Sequence, residues 1–220
     1  MTAVVCPSVT PGTSDPHLFR EQIERVSFAK RIQIDLMDGK FAPHKNLNPI
    51  QVWWPEGTLA DIHLMYQEPH EALETLISLK PHLIILHAEA DGNIEEYLRH
   101  IQRFGVKAGI ALLADTPVDQ AHGCISIANH VLLFSGTLGS FGGTVDRTIL
   151  QKIPHIRAIR PEIEIGWDGG ANPDTIKELI TAGITVVNVG ATIQRSVQPR
   201  KAYDDLVAIA RRSLLQKDQP

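Results

Sequence analysis

Asp35 lies in the run Ile34-Asp35-Leu36-Met37-Asp38-Gly39, His63 precedes Leu64-Met65, His87 precedes Ala88-Glu89, and Asp168 opens Asp168-Gly169-Gly170. Two carboxylates and two imidazoles gathered at one mouth suit general acid–base work or the ligation of a divalent ion. Each has a plainer reading alone. A histidine at a strand end is usually a hydrogen-bonded polar residue, and the Asp-Gly pairs at Asp38 and Asp168 are common turn formers. Together they need a reason, because buried ionisable groups are costly unless paired, protonated or metal-bound. A second set is made of small residues: Gly142 and Gly143, Gly169 and Gly170, and Gly190 followed by Ala191 and Thr192. Glycine lets backbone N–H groups approach an anion closely, so three such loops on one face would hold a phosphate, although any one pair also serves a tight turn. Met37 and Met65 each stand two residues past Asp35 and His63, either as core filler or as an apolar floor to the site.

For these groups to converge, the chain must bring several strand ends to one place. Short β-rich runs alternate with amphipathic stretches along the whole length, the pattern of a parallel α/β fold whose strands are buried on both faces. Strands are expected at about Ala3 to Pro7, Arg31 to Met37, Leu59 to Leu64, Leu83 to His87, Lys107 to Leu113, His130 to Phe134, Ile163 to Trp167 and Thr185 to Val189. A helix is expected over Asn172 to Ala182, with Asn172 as N-cap, Pro173 in the first turn and Gly183 as the stop. The eight units repeat at roughly 26 residues, which predicts a compact (β/α)8 TIM barrel with its chemistry at the C-terminal strand ends. Side chains alternate along a strand, so Gln33, Asp35 and Met37 share one face, as do His63 and Met65. A doubly wound nucleotide-binding sheet is the rival, but the glycine-rich stretch Gly136 to Gly143 follows the sixth strand and does not read G-x-G-x-x-G.

Composition narrows the function classes. The chain has 220 residues, 43% hydrophobic and 21% charged, with a formal net charge of -4. That is enough for one core, and it offers no bulk electrostatic attraction to nucleic acid or to an anionic membrane. The expectation is one catalytic domain over residues 1–215 with a polar tail at 216–220. The first ten residues lack a signal-peptide pattern, and no apolar run reaches bilayer-spanning length. Cys6 and Cys124 are far apart and without C-x-x-C spacing, which argues against a disulfide framework or a structural zinc site. A soluble, cytoplasmic protein is expected. Schiff-base chemistry is unsupported, because no lysine stands at a strand's C-terminal end and Lys107 opens a strand instead.

Across nearly its full length the chain resembles the ribulose-phosphate 3-epimerases. The resemblance is carried by Pro7-Ser8, Ile34-Asp35-Leu36-Met37-Asp38-Gly39 with Phe41 and Pro43, His63-Leu64-Met65, His87-Ala88-Glu89, Phe141-Gly142-Gly143, Asp168-Gly169-Gly170 with Asn172-Pro173, and Gly190. It implies a barrel enzyme that inverts C3 of a phosphorylated ketopentose, interconverting D-ribulose 5-phosphate and D-xylulose 5-phosphate. By similarity Asp35 and Asp168 would be the acid/base pair, and Ser8, His63, Gly142, Gly143, Gly169, Gly170, Gly190 and Ala191 would contact substrate. A divalent metal ion (zinc, manganese, iron, cobalt or magnesium) would be held by Asp35, His63 and Asp168. The small phosphorylated ketose would be the one partner besides further copies of the chain, the family implying a homo-oligomer, a dimer or higher.

The sequence departs from the family in three places. Gln33 stands where the first of the family's four metal ligands is a histidine, and an amide oxygen suits hard ions such as magnesium or manganese better than zinc. The loop Ser135 to Gly143 is one residue longer and lacks the family's Asn-Pro, with Phe134 in place of a methionine. Leu113 and Ala114 replace a polar-then-proline pair. These leave open an epimerase of another phosphorylated ketose, such as a hexulose 6-phosphate, and a phosphosugar-binding barrel without catalysis. The related D-x-K-x-x-D barrels are excluded, because Met37 occupies the lysine position.

Overall fold

The computed structural model describes residues 3–139 and 142–217. Eight strands, β1 (Val4–Val9), β2 (Arg31–Met37), β3 (Leu59–Met65), β4 (Leu83–His87), β5 (Lys107–Leu112), β6 (His130–Phe134), β7 (Glu164–Asp168) and β8 (Val186–Val189), form one closed parallel barrel in sequence order. β8 closes it by pairing with β1. Outside lie α1 (Pro16–Val26), α2 (His70–Ser78), α3 (Ile94–Arg103), α4 (His122–Ile127), α5 (Lys152–Ile159) and α6 (Ile176–Ala182), then the short α7 (Ala191–Gln194) and the long α8 (Pro199–Lys217). The expected barrel is therefore the observed one. Among the described residues no helix is long and apolar enough to cross a membrane.

Local boundaries differ for identifiable reasons. β1 runs through Pro7 to Val9, because Pro7 ends the ladder with β8 while Ser8 begins the ladder with β2, so its missing N–H costs little where the pairing changes hands. The helix expected from Asn172 starts at Ile176, since the Asn172 side chain accepts from the Asp174 and Thr175 backbone N–H groups and closes a turn first. Gly183 does end it, at φ 113°. α8 is described to Lys217, and residues 218–220, the rest of the expected polar tail, lie outside the described ones.

The two faces of the barrel wall divide the labour. Outward side chains such as Ile32, Ile34, Leu36, Ile62, Leu64, Ile84, Leu86, Ile110, Val131, Leu133 and Trp167 pack under the helices as the main core. Inward side chains form layers. Leu83, Ile85, Ala111 and Leu132 make a dry waist, with polar layers above and below it. In the lower layer Arg31 donates to Asp61 at 2.7 Å and to both Glu164 oxygens at 2.8 Å. Asp61 also meets His82 Nδ1 at 2.8 Å, and Glu164 meets His130 Nδ1 at 2.7 Å.

Arg31 and Asp61 are buried, so removing one leaves the other's charge uncompensated in a low-dielectric interior. We predict that Arg31→Ala costs about 3–5 kcal/mol in urea denaturation monitored by circular dichroism. A loss of well under 1 kcal/mol would show that water, not Arg31, satisfies this layer.

Candidate active site

The upper polar layer is supplied by the C-terminal halves of β1, β2, β3, β4 and β7. Alternation along β2 turns Gln33 and Asp35 inward, and the register pairs Asp35 with His63. Asp35 and His63 are buried and the Asp168 side chain is 16% exposed, which puts all three at the floor of the barrel mouth. His63 Nδ1 lies 3.3 Å from Asp35 and 3.7 Å from Asp168. Gln33 Nε2 donates to Asp35 Oδ1 at 2.9 Å and to Asp168 Oδ2 at 2.5 Å, bridging the two carboxylates. The Thr10 hydroxyl donates to the other oxygen of Asp35.

This crowding shapes the protonation of the pair. Burial, reinforced by the negative charge of Asp35, pushes the Asp168 carboxyl up to about 7, against the favourable effects of His63 and of the Gln33 hydrogen bond. Asp168 thus titrates around neutrality, far above an ordinary aspartate, so a share of it carries the proton that a donor needs. His87 stands behind His63, with the two Nε2 atoms 2.8 Å apart, and does not line the cavity. Burial lowers its pKa to about 4, so it is a neutral imidazole.

The same floor fits a divalent ion. Asp35, His63 and Asp168 each offer a ligand atom within 4.8 Å of the others. Gln33 Oε1 is buried without a hydrogen-bond partner among the described residues, and half a turn of the amide would exchange it with Nε2 at the carboxylates. Three oxygen donors and one imidazole are a hard donor set, suited to magnesium or manganese.

Above the floor opens a cavity of about 330 Å³ lined by both aspartates, Ser8, Met65 and Phe134. Its far wall brings together the small residues singled out in the sequence: Gly142, Gly143, Gly169, Gly170, Gly190, Ala191 and Thr192. Glycine is obligatory at 169 and 170. Both have positive φ, 113° and 72°, and an added Cβ would stand 2.3 Å from Gly136 N and 2.5 Å from the Thr144 carbonyl carbon, respectively. The Asn172 amide donates to the Gly170 carbonyl and fixes this turn. Gly143 differs: at φ 103° an added Cβ would meet nothing within 4 Å among the described residues. Phe141, the neighbour expected in this motif, lies outside the described residues.

The structure also sorts the ambiguous residues. Asp38 is a turn former, its carboxylate accepting from the backbone of Lys40, Phe41 and Gln67. Met37 and Met65 pack with Ala42, Phe41 and Leu138 into a cap over this side of the mouth, and only Met65 reaches the cavity. His63 reaches the mouth only through Nδ1, beneath the cavity floor. Thr10, Asn188 and Arg195 also line the cavity and were missed. Alternation could have found the first two, since Thr10 follows Ser8 by two residues and Asn188 precedes Gly190 by two. Arg195 stands one helical turn past Ala191, and it is the only cation among the described lining residues. Ser8 Oγ and Asn188 Oδ1 are buried without a protein partner among the described residues, on the wall that a polar ligand would touch.

A sequence model of the ribulose-phosphate 3 epimerase family matches residues 4–194. The ribulose-phosphate 3-epimerase of Helicobacter pylori is 30% identical over 197 residues, covering 86% of this chain and 90% of its own. That of Synechocystis sp. is 30% identical over 207 residues, 86% of each. Among solved structures, 3-hexulose-6-phosphate synthase from Salmonella typhimurium aligns with a TM-score of 0.68 at 11% identity, covering 96% of this chain and 99% of that one. Thiamine phosphate pyrophosphorylase from Pyrococcus furiosus aligns at 0.63 and 15% identity, covering 96% of each. At such low identity these two share the fold alone. Because the family match runs from the first strand into the turn after the last, the chain belongs to the ribulose-phosphate 3-epimerase family, and so to the isomerases that epimerise carbohydrates.

Proposed function

We propose that the protein interconverts D-ribulose 5-phosphate and D-xylulose 5-phosphate by moving a proton on and off C3 between Asp35 and Asp168. The observation that carries this reading is the pair itself: two carboxylates bridged by one amide at the floor of a cavity with a glycine-rich wall. The C3 hydrogen is acidic because it neighbours the C2 ketone. Inversion removes it from one face and returns a proton to the other, so two acid/base groups are needed. Asp35, as the carboxylate, takes the proton from one face, and Asp168, holding its own, delivers to the other; the roles exchange in the reverse direction.

The rest of the site orients the sugar. Ser8 Oγ and the Asn188 amide are placed for its hydroxyls, and the wall of Gly142, Gly143, Gly169, Gly170, Gly190 and Ala191 for its phosphate. Arg195 adds the compensating charge at the rim. Asp35, His63 and Asp168, with Gln33 as a fourth donor, would hold the divalent ion. When bound, that ion polarises the ketone and offsets the charge of the enediolate.

Epimerisation of ribulose 5-phosphate, with hexulose 6-phosphates as competitors for the assignment, tests the reading. Asp35→Asn and Asp168→Asn are each expected to lower kcat by roughly 10²–10⁴-fold. A faster hexulose reaction would reassign the substrate, and full activity of either variant would remove the two-carboxylate mechanism. Arg195→Ala is expected to raise KM by about tenfold with kcat nearly unchanged, the signature of lost uniform binding to the phosphate. An unchanged KM would place the phosphate elsewhere.

The raised pKa of Asp168 also predicts a pH effect on stability. The folded state holds this proton to about pH 7, whereas an unfolded aspartate releases it near 3.9. Between those values unfolding releases a proton, so the stability of chelator-treated protein should fall as pH rises through this window. Asp168→Asn lacks this penalty. Its Tm should exceed that of wild type at pH 8 and converge with it near pH 4; a constant difference across the range would contradict the assignment.

A further inference from the structure

Arg195, the cation at the rim of the site, follows an element that cannot hold itself. α7 spans only Ala191–Gln194, and a helix of one turn does not recover the cost of ordering its own backbone in water. Ile193 is its one buried side chain. Space opens on both sides of it. Ala191 and Arg195 line the site cavity and also a second cavity of about 250 Å³ between α7 and α1, lined further by Leu18, Gln22, Arg25 and Gln194.

Polar ties from α1 supply what packing does not. Arg25, exposed on α1, donates from Nε to the Gln194 carbonyl at 3.1 Å and from Nη2 to the Ser196 carbonyl at 2.6 Å. Both carbonyls lie at the C-terminal end of α7, where a helix leaves acceptors without intrahelical partners and its dipole favours a cation. The Gln194 side chain continues the tie. Its Nε2 donates to the Ser8 carbonyl at 3.2 Å and to the Gln22 carbonyl at 3.3 Å, joining α7 to the end of β1 and to α1. Arg25 itself does not line the site cavity, so its reach to a ligand there is through α7.

We propose that Arg25 is a positioning residue, which by clasping the end of α7 holds Arg195 toward the phosphate wall. The part of Arg195 in binding phosphate rests on the reading of the preceding section; the bracing of α7 rests on the contacts above. Without the clasp α7 opens more often, and a ligand that needs the closed form binds in proportion to the share of closed molecules. The loss falls on binding and spares Asp35 and Asp168, so it should enter KM and not kcat.

Arg25→Ala removes both bonds from an exposed position, and the barrel should fold as before. Hydrogen exchange followed by ¹H–¹⁵N NMR should quicken about tenfold at the Gln194, Arg195 and Ser196 amides, which donate to Gly190, Ala191 and Ile193, while the strand amides stay unchanged. KM for ribulose 5-phosphate should rise about three- to tenfold with kcat nearly unchanged. The affinity for inorganic phosphate, from ³¹P NMR titration, should weaken in step, whichever phosphorylated ketose is the substrate. In the Arg195→Ala background Arg25→Ala should add little, since the group it positions is gone. Unchanged exchange in α7 would overturn the proposal. So would wild-type KM and phosphate affinity in Arg25→Ala where Arg195→Ala weakens both, or effects of the two substitutions that simply add, the mark of an independent action of the Arg25 charge. Faster α7 exchange together with wild-type phosphate affinity in Arg195→Ala would leave the brace standing and remove Arg195 from the phosphate site.

Discussion

Two carboxylates confined to one small buried mouth are electrostatically unfavourable, and the organisation of the upper barrel follows from tolerating them. Like charges this close resist joint ionisation, so Asp168 titrates around neutrality beside the charge of Asp35. Gln33 supplies the other part of the answer by placing one amide N–H group against each carboxylate. On the proposed mechanism the same two features that make the pair tolerable also serve it: one group would donate and the other accept, the condition for inverting a carbon centre.

The barrel isolates this arrangement from a second charged layer. Arg31, Asp61, His82, His130 and Glu164 neutralise one another at the opposite end, and the apolar waist of Leu83, Ile85, Ala111 and Leu132 separates them from the site. The upper charges are consequently left to be balanced by their own neighbours: Gln33, Thr10 and the His63–His87–Glu89 chain. Substitution of an amide for an imidazole at Gln33 is consistent with that economy. It can bridge the carboxylates through nitrogen or face a hard cation through oxygen.

Much of this was legible in one dimension. Leu83–His87 and His130–Phe134 are read correctly from the sequence because strands buried on both faces are near-continuous apolar runs, and Arg31–Met37 because its apolar residues alternate with polar ones. Period-two alternation then places Gln33 and Asp35 on the inner wall. What the sequence withholds is pairing across strands. Asp38 and Asp35 look alike in a run of residues, yet one accepts three backbone N–H groups in a turn and the other faces the cavity. Arg25 has no reason to be singled out until α1 meets the end of α7. Arg195 is overlooked because its relevance depends on how far α7 carries it around the rim, which a four-residue helix does not announce.

The opposed carboxylates can be tested most directly by isotope tracing in D₂O, with the reaction of ribulose 5-phosphate stopped well before equilibrium. Two separate groups, each exchanging with solvent, should give xylulose 5-phosphate carrying deuterium at C3 while the recovered substrate keeps its protium. Product that retains a substantial share of the original hydrogen would mean that one group serves both faces, and the account built on Asp35 facing Asp168 would be wrong.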